Sequence, residues 1–276
     1  MPTTDLPRFE RDTAVTRQAE DAFSARVDPD WWVLRGPNGG YLAAIALRAL
    51  TVRVGDPHRA ARSLTVHFVA PPVEGDLAVH TAVERVGGSL TSCSARVIQD
   101  GRLVALALAA FSAPRTGPAF TDLAPPAFPP AETLPTAPPP DFAPAFAHRW
   151  EARWALGRRP SPDEPPAAEA AAGGWIRPEE PQLLDAPAIV AITDAWIPAI
   201  ITRHAEPLAV PTIDLTVHLR AGLPHPGLAP DGFVMAQFRT GAAADGFFEE
   251  DGEIWAPDGT LLAQSRQLAA ILPLNR

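Results

Sequence analysis

Lysine is absent from the chain: all 23 basic side chains among its 276 residues are arginines, set against 32 acidic ones. The absence excludes chemistries that need an amine, namely Schiff-base catalysis, lysine general bases and P-loop nucleotide sites. A single cysteine, Cys93, excludes an internal disulfide and any multi-cysteine metal site. A net charge of −9 argues against nucleic acid as a partner, because binders of nucleic acid present a basic face. No uncharged apolar run approaches the roughly 20 residues of a membrane span. The longest clean one, residues 103–113, reads as a buried strand. Met1-Pro2-Thr3-Thr4-Asp5 shows neither the basic nor the apolar part of a secretory leader, so a cytoplasmic protein is expected. His67 and His218 sit in similar local sequence but read as strand histidines bonded locally; no metal and no cofactor are expected.

What the chain has in excess is proline, 33 residues, eleven of them within 114–144. Proline blocks helix interiors and central strands, so this stretch reads as an extended connector. The sequences on either side repeat. Ser63-Leu64-Thr65-Val66-His67-Phe68 matches Asp214-Leu215-Thr216-Val217-His218-Leu219 at four of six positions. Arg85-Val86-Gly87 then matches Arg239-Thr240-Gly241, and Asp100-Gly101-Arg102-Leu103-Val104-Ala105 matches Asp258-Gly259-Thr260-Leu261-Leu262-Ala263. Three matches in one order imply a duplicated unit. The expected division is residues 1–113, a linker at 114–145, and residues 146–276.

Each half reads as strand, helix, then antiparallel strands. Asn38 caps an expected helix over 39–54, with apolar residues at Leu42, Ile45, Ala46 and Ala49. Strands are expected within 22–33 and over 63–70, 76–86, 89–99 and 102–112, the last two joined by a hairpin turn at Asp100-Gly101. The second half gives a strand over 147–156, a helix over 184–201, and strands over 212–220, 233–239, 246–255 and 260–271. Glu249-Glu250-Asp251 reads as a solvated turn, Asp194 as a brace for the fold, and Trp31-Trp32 as core. The fold class is α+β, a sheet wrapped around a central helix in each half.

Three patterns carry a resemblance: Gly-Pro-Asn-Gly-Gly-Tyr opening the first helix, the Asp-Leu-Thr-Val-His strand, and the closing Ser265-Arg266-Gln267 strand. With the tandem arrangement, they resemble the double-hotdog acyl-CoA thioesterases, most closely the bacterial acyl-CoA thioesterase II type. The resemblance implies a double hotdog fold and hydrolysis of acyl-CoA in lipid metabolism. It also implies a catalytic trio in the second half: an Asp, a Thr and a Gln that orient and activate water. Residue by residue these fall on Asp214, Thr240 and Gln267, with Ser63, Val86 and Ala109 as their counterparts in the first half. An ionised Asp can take the water's proton, while Thr and Gln fix its lone pair toward the carbonyl.

The oxyanion formed in that reaction needs N–H donors. Asn38, Gly39, Gly40 and Tyr41 open a helix, where free N–H groups and positive dipole character suit that task. Tyr41 replaces a Gln common in the family. Gln267 lies among Leu261, Leu262, Leu268 and Ile271, where a polar group needs a partner. Two other readings stand beside hydrolysis: a non-catalytic acyl-CoA-binding protein, and a hotdog hydratase or dehydratase, for which no Asp/His pair adjoins Gly39-Gly40. Serine-hydrolase chemistry lacks its elbow, since Gly87-Gly88-Ser89-Leu90-Thr91 fails at the last position. An exposed sheet edge or face usually pairs, so a homodimer or higher homo-oligomer is expected.

Overall fold

Period-two alternation builds the strands that dominate the fold. The computed structural model describes residues 6–34, 36–136, 138–141, 143–159, 165–204 and 206–274; the opening residues 1–5 lie outside them. The first half holds α1 (Arg8–Asp12), β1 (Thr16–Arg17), β2 (Ala22–Val27), α2 (Gly39–Val54), β3 (Ala60–Phe68), β4 (Gly75–Val86), β5 (Leu90–Gln99) and β6 (Arg102–Ser112). The second holds β7 (Trp150–Leu156), β8 (Ala171–Pro178), α3 (Ala186–Ile192), β9 (Leu208–Ala209), β10 (Thr212–Leu219), β11 (Val234–Arg239), β12 (Ala243–Ala244), β13 (Phe247–Trp255), β14 (Leu261–Ala270) and β15 (Leu272–Pro273).

Antiparallel pairing joins thirteen strands in the order β1-β2-β4-β5-β6-β3-β10-β14-β13-β11-β8-β7, with β12 on β13. The order is a palindrome: each strand of the first half has its counterpart at the mirrored place in the second. The two halves meet at β3 and β10, where Thr65 pairs with Thr216 and their hydroxyls lie 3.0 Å apart. The inward residues Leu64 and Val66 of β3, and Leu215, Val217 and Leu219 of β10, are buried against α2 and α3. Among the described residues no helix is long and apolar enough to cross a membrane.

α2 follows the expected bounds, and the Asn38 side chain accepts from the Tyr41 N–H at 3.0 Å. The second helix does not. It ends at Ile192 rather than 201, and a 3-10 turn, Ala199–Arg203, follows Pro198. Proline has no N–H to donate and pushes the residue before it out of helical geometry.

The strand expected over 147–156 is β7, the sheet's last strand. The counterpart of β2 is β8, whose Ala171-Ala172-Gly173-Gly174 start has low strand propensity. Its glycines are required by close approach. A Cβ at Gly174 would lie 2.0 Å from the Arg153 carbonyl oxygen, and one at Gly173 would lie 2.3 Å from that of Ala236. Glu249-Glu250-Asp251 is not a turn but the middle of β13. The turn lies earlier, at Asp245-Gly246, where φ is 54° and 79°.

Candidate active site

Three neighbouring strands place a polar row on the inner face. Glu250 of β13 stands opposite Gln267 of β14, and Gln267 opposite Leu215 of β10. On the other side of β13, Arg239 of β11 stands opposite Asp251. Thr240 comes next after Arg239, and continuing that register by one pair sets it beside Glu250. Its N–H donates to the Ala170 carbonyl at 3.0 Å, which extends the β8–β11 pairing in the same way.

Glu250 and Gln267 are each 4% exposed. Gln267 Nε2 donates to Glu250 Oε1 at 2.8 Å, and its Oε1 accepts from the Thr212 hydroxyl at 2.9 Å. Glu250 Oε2 accepts from the Ala199 N–H. The Thr240 hydroxyl is buried with no hydrogen-bond partner. Burial pushes the Glu250 carboxyl up to about 7, and the nearby charges of Asp194 and Glu249 push the same way. The N–H groups of Ala199 and Gln267 oppose them.

A second carboxylate closes the row toward α2. Asn38 Nδ2 donates to the Asp194 carbonyl at 2.8 Å and to its Oδ2 at 2.9 Å; the Gly40 N–H donates to the same Oδ2 at 2.9 Å. Burial raises Asp194 to about 6 against these donors, to which the Gly39 N–H adds. Asp194 is thus the brace its sequence suggests.

The N–H groups offered by Gly39 and Gly40 for an oxyanion are engaged here by an intramolecular carboxylate. The glycines also allow the helices to touch, since a Cβ at Gly40 would lie 2.7 Å from the Ala191 carbonyl oxygen. Tyr41 is fully buried, stacks on Trp31 with centroids 5.1 Å apart, and sets its hydroxyl 2.8 Å from the Asp12 carbonyl and 2.9 Å from that of Arg26. Its place is structural.

The structure therefore brings Thr240 and Gln267 to the two sides of Glu250 and does not bring Asp214 to them. Asp214 stands in register with His67 and Leu268, both outward-facing, just after a bulge at Thr212/Asp214. No hydrogen bond joins it to Thr240 or Gln267 among the described residues. Sequence reasoning missed Glu250 because its neighbours are acidic. The signal was present in the period of two: Phe248, Glu250, Gly252 and Ile254 share the buried face.

The first half repeats this geometry without its chemistry. Ser63 follows a bulge matching that before Asp214, and Leu64 stands opposite Ala109 as Leu215 does opposite Gln267. Ala109 faces Cys93, and Cys93 faces Val83. Val83, rather than Val86, is thus the counterpart of Thr240: a bulge between Val83 and Arg85 shifts the register, and Val86 is 70% exposed. Hydroxyl, carboxylate and amide in one half are Val, Cys and Ala in the other.

Sequence comparison now adds the family. The profile of the acyl-CoA thioesterase N-terminal domain matches residues 28–112, and that of the C-terminal domain matches residues 122–271. The chain belongs to the acyl-CoA thioesterase family. No curated protein matches it. A hot dog protein of unknown function from Alicyclobacillus acidocaldarius is 25% identical with a TM-score of 0.84, covering 98% of this chain and 100% of its own. A candidate thioesterase II from Thermobifida fusca is 26% identical with a TM-score of 0.81, covering 97% and 98%. The acyl-CoA thioesterase II TesB2 from Mycobacterium marinum, 21% identical with a TM-score of 0.78 over 96% and 98%, shares the fold. The architecture is a double hotdog.

In this family member a cavity of about 400 Å³ is lined by Ile200, Arg203, His204, Ala243, Ala244, Gly246 and Ile271. Ile200 and Ile271 of its lining also pack in a small apolar cluster with Phe248 and Ala269. Phe248 and Ala269 each lie two residues along their strands from Glu250 and Gln267, on the same face.

Proposed function

We propose that the chain hydrolyses acyl-CoA thioesters to free acid and CoA, by attack of a water oriented by Gln267 and Thr240. The observation that carries this reading is the buried Gln267 amide together with the buried, unpartnered Thr240 hydroxyl, on the strands either side of Glu250, where the first half has Ala109, Val83 and Cys93. A buried hydroxyl without a partner is costly, and a bound water or a substrate oxygen would satisfy it. The cavity beside Ile200 supplies room for an apolar chain. Asp214, the base implied by resemblance, would have to reach this water from an outward register. An oxyanion held by Gly39 and Gly40 would have to take donors from Asp194. The proposal extends to a division into residues 1–113, 114–145 and 146–276, and to a homodimer or larger assembly, because β1 and β7 end the sheet as edges.

The test is thiol release from acyl-CoAs of graded chain length. Turnover with at least one chain length is expected, and no turnover with any of them would refute hydrolysis. One observation favours the acyl-CoA-binding alternative: Asp194 already fills the helix N-terminus. Tight acyl-CoA binding without thiol release would establish that reading.

A further inference from the structure

We propose that Glu250 is the group that takes the proton from the attacking water and returns it to the departing thiolate, in the role that resemblance gives to Asp214. The inference rests on the hydrolytic reading above.

Position is the first argument. Glu250 pairs with Gln267, its Oε1 is 2.8 Å from the Gln267 amide nitrogen, and the β11–β13 register continued one pair beyond Arg239 and Asp251 sets Thr240 on its other side. A water bound to that hydroxyl and amide therefore borders this carboxylate. Each carboxylate oxygen has one protein donor, Gln267 Nε2 on Oε1 and the Ala199 N–H on Oε2, which leaves lone pairs free to accept from water. Asp214 shares register with His67 and Leu268 instead.

The duplication supplies the second argument. The same strands in the same register pack Val83, Cys93 and Ala109 in the first half. The fold does not need a polar row there, and burying a carboxylate is costly. A costly group that the fold can do without points to use.

Charge is the third. Asp194 faces Glu250 from the end of α3, and Glu249 adjoins it on β13. Gln267 faces it from β14, the Ala199 N–H from the 3-10 turn, and Thr240 from the end of β11. No arginine or histidine makes a salt bridge with Glu250 among the described residues. Two negative neighbours and burial favour the protonated form near neutrality, the range in which a carboxylate both accepts and returns a proton.

In the reaction the water oxygen forms a bond to the thioester carbon as its proton passes to Glu250, and the carbonyl π pair moves onto oxygen. Collapse breaks the C–S bond, and the Glu250 carboxyl protonates the leaving sulfur. Thioester and water are consumed; free acid and thiol leave.

The test compares E250Q with D214N in acyl-CoA hydrolysis, as a function of pH. E250Q should lose about 10²–10⁴ in turnover and the rise in rate with pH near neutrality, and D214N should lose less. The double variant E250C/Q267A rebuilds the first half's pair; it should still fold, melt cooperatively and be inactive. E250Q within tenfold of the parent overturns the inference, as does a larger loss in D214N. Failure of both E250Q and E250C/Q267A to fold also overturns it, because the pair is then structural. A parent inactive on every acyl-CoA removes the hydrolytic reading and this inference together; an active parent with an active E250Q removes only this one.

Discussion

Asp194 spans the two halves with a single carboxylate, accepting from Asn38 and from the first backbone N–H groups of α2. Asp194→Ala leaves those buried donors unpaired, and each such group costs about 1–3 kcal/mol. A lower denaturation midpoint in urea is expected, and an unchanged midpoint would contradict the role. Asp194 and Glu250 also make stability depend on pH. Their folded values, about 6 and about 7, lie above the ordinary 3.8 and 4.5, so the folded chain holds these protons more tightly than the unfolded one. The stability this contributes is complete below about pH 4 and is lost as pH rises through 6 and 7. E250Q should therefore melt with a flatter dependence between about pH 5 and pH 8 than the parent, read by calorimetry; parallel curves would refute it. At this scale the sequence showed Gln267 as a polar residue among leucines and Asp194 as a brace. It hid Glu250, because three acidic residues in a row look solvated until alternation is imposed on them.

Helix α2 is buried on nearly all sides, since the sheet covers one flank and α3 the other. That arrangement depends on Gly40, whose missing Cβ lets the backbone pass the Ala191 carbonyl. Gly40→Ala must push the helices apart, at about 1–3 kcal/mol for an overpacked core. A lower melting temperature is expected with the Asp194 contact weakened, and an unchanged melt would show that the helices have slack. Elements with a local cause were legible. The Asn38 cap marks the start of α2, and Asp100-Gly101, with φ of 49° and 77°, marks the β5–β6 hairpin. Elements set by tertiary contact were not. β8 carries glycines for close approach, which read as loop, and α3 ends at Ile192 although the apolar spacing continues to Ile201.

The two halves share one thirteen-stranded sheet and meet between Thr65 and Thr216, with α2 packed on α3 and with β9 and β15 paired in a small sheet of their own. The duplication was visible in short matches, of which those on β3/β10 and on the turns opening β6/β14 are structural counterparts, while the one at the ends of β4 and β11 is three residues out of register. The proline-rich segment is not needed to hold the halves together in this arrangement. Its later part bonds to the β7–β8 end of the sheet, where Trp175 Nε1 donates to the Pro129 carbonyl at 2.8 Å and Arg153 to that of Ala131 at 2.7 Å, and its start bonds to the β4–β5 turn, where Arg115 donates to the Ser89 hydroxyl at 2.8 Å. Within the segment Phe120 is 84% exposed. The β3–β10 ladder, the Asn38–Asp194 contact and the Arg48–Asp185 pair at 3.0 Å cross between halves without it. A protease site inserted beside Gly117 should therefore be cut in the folded protein, and the two fragments should elute together at the parent's size. Cutting turns folding into a bimolecular reaction, so the nicked protein should melt at a lower, concentration-dependent temperature. Fragments that separate on a native sizing column would mean that the linker, and not the shared sheet and helix pair, holds the two repeats together.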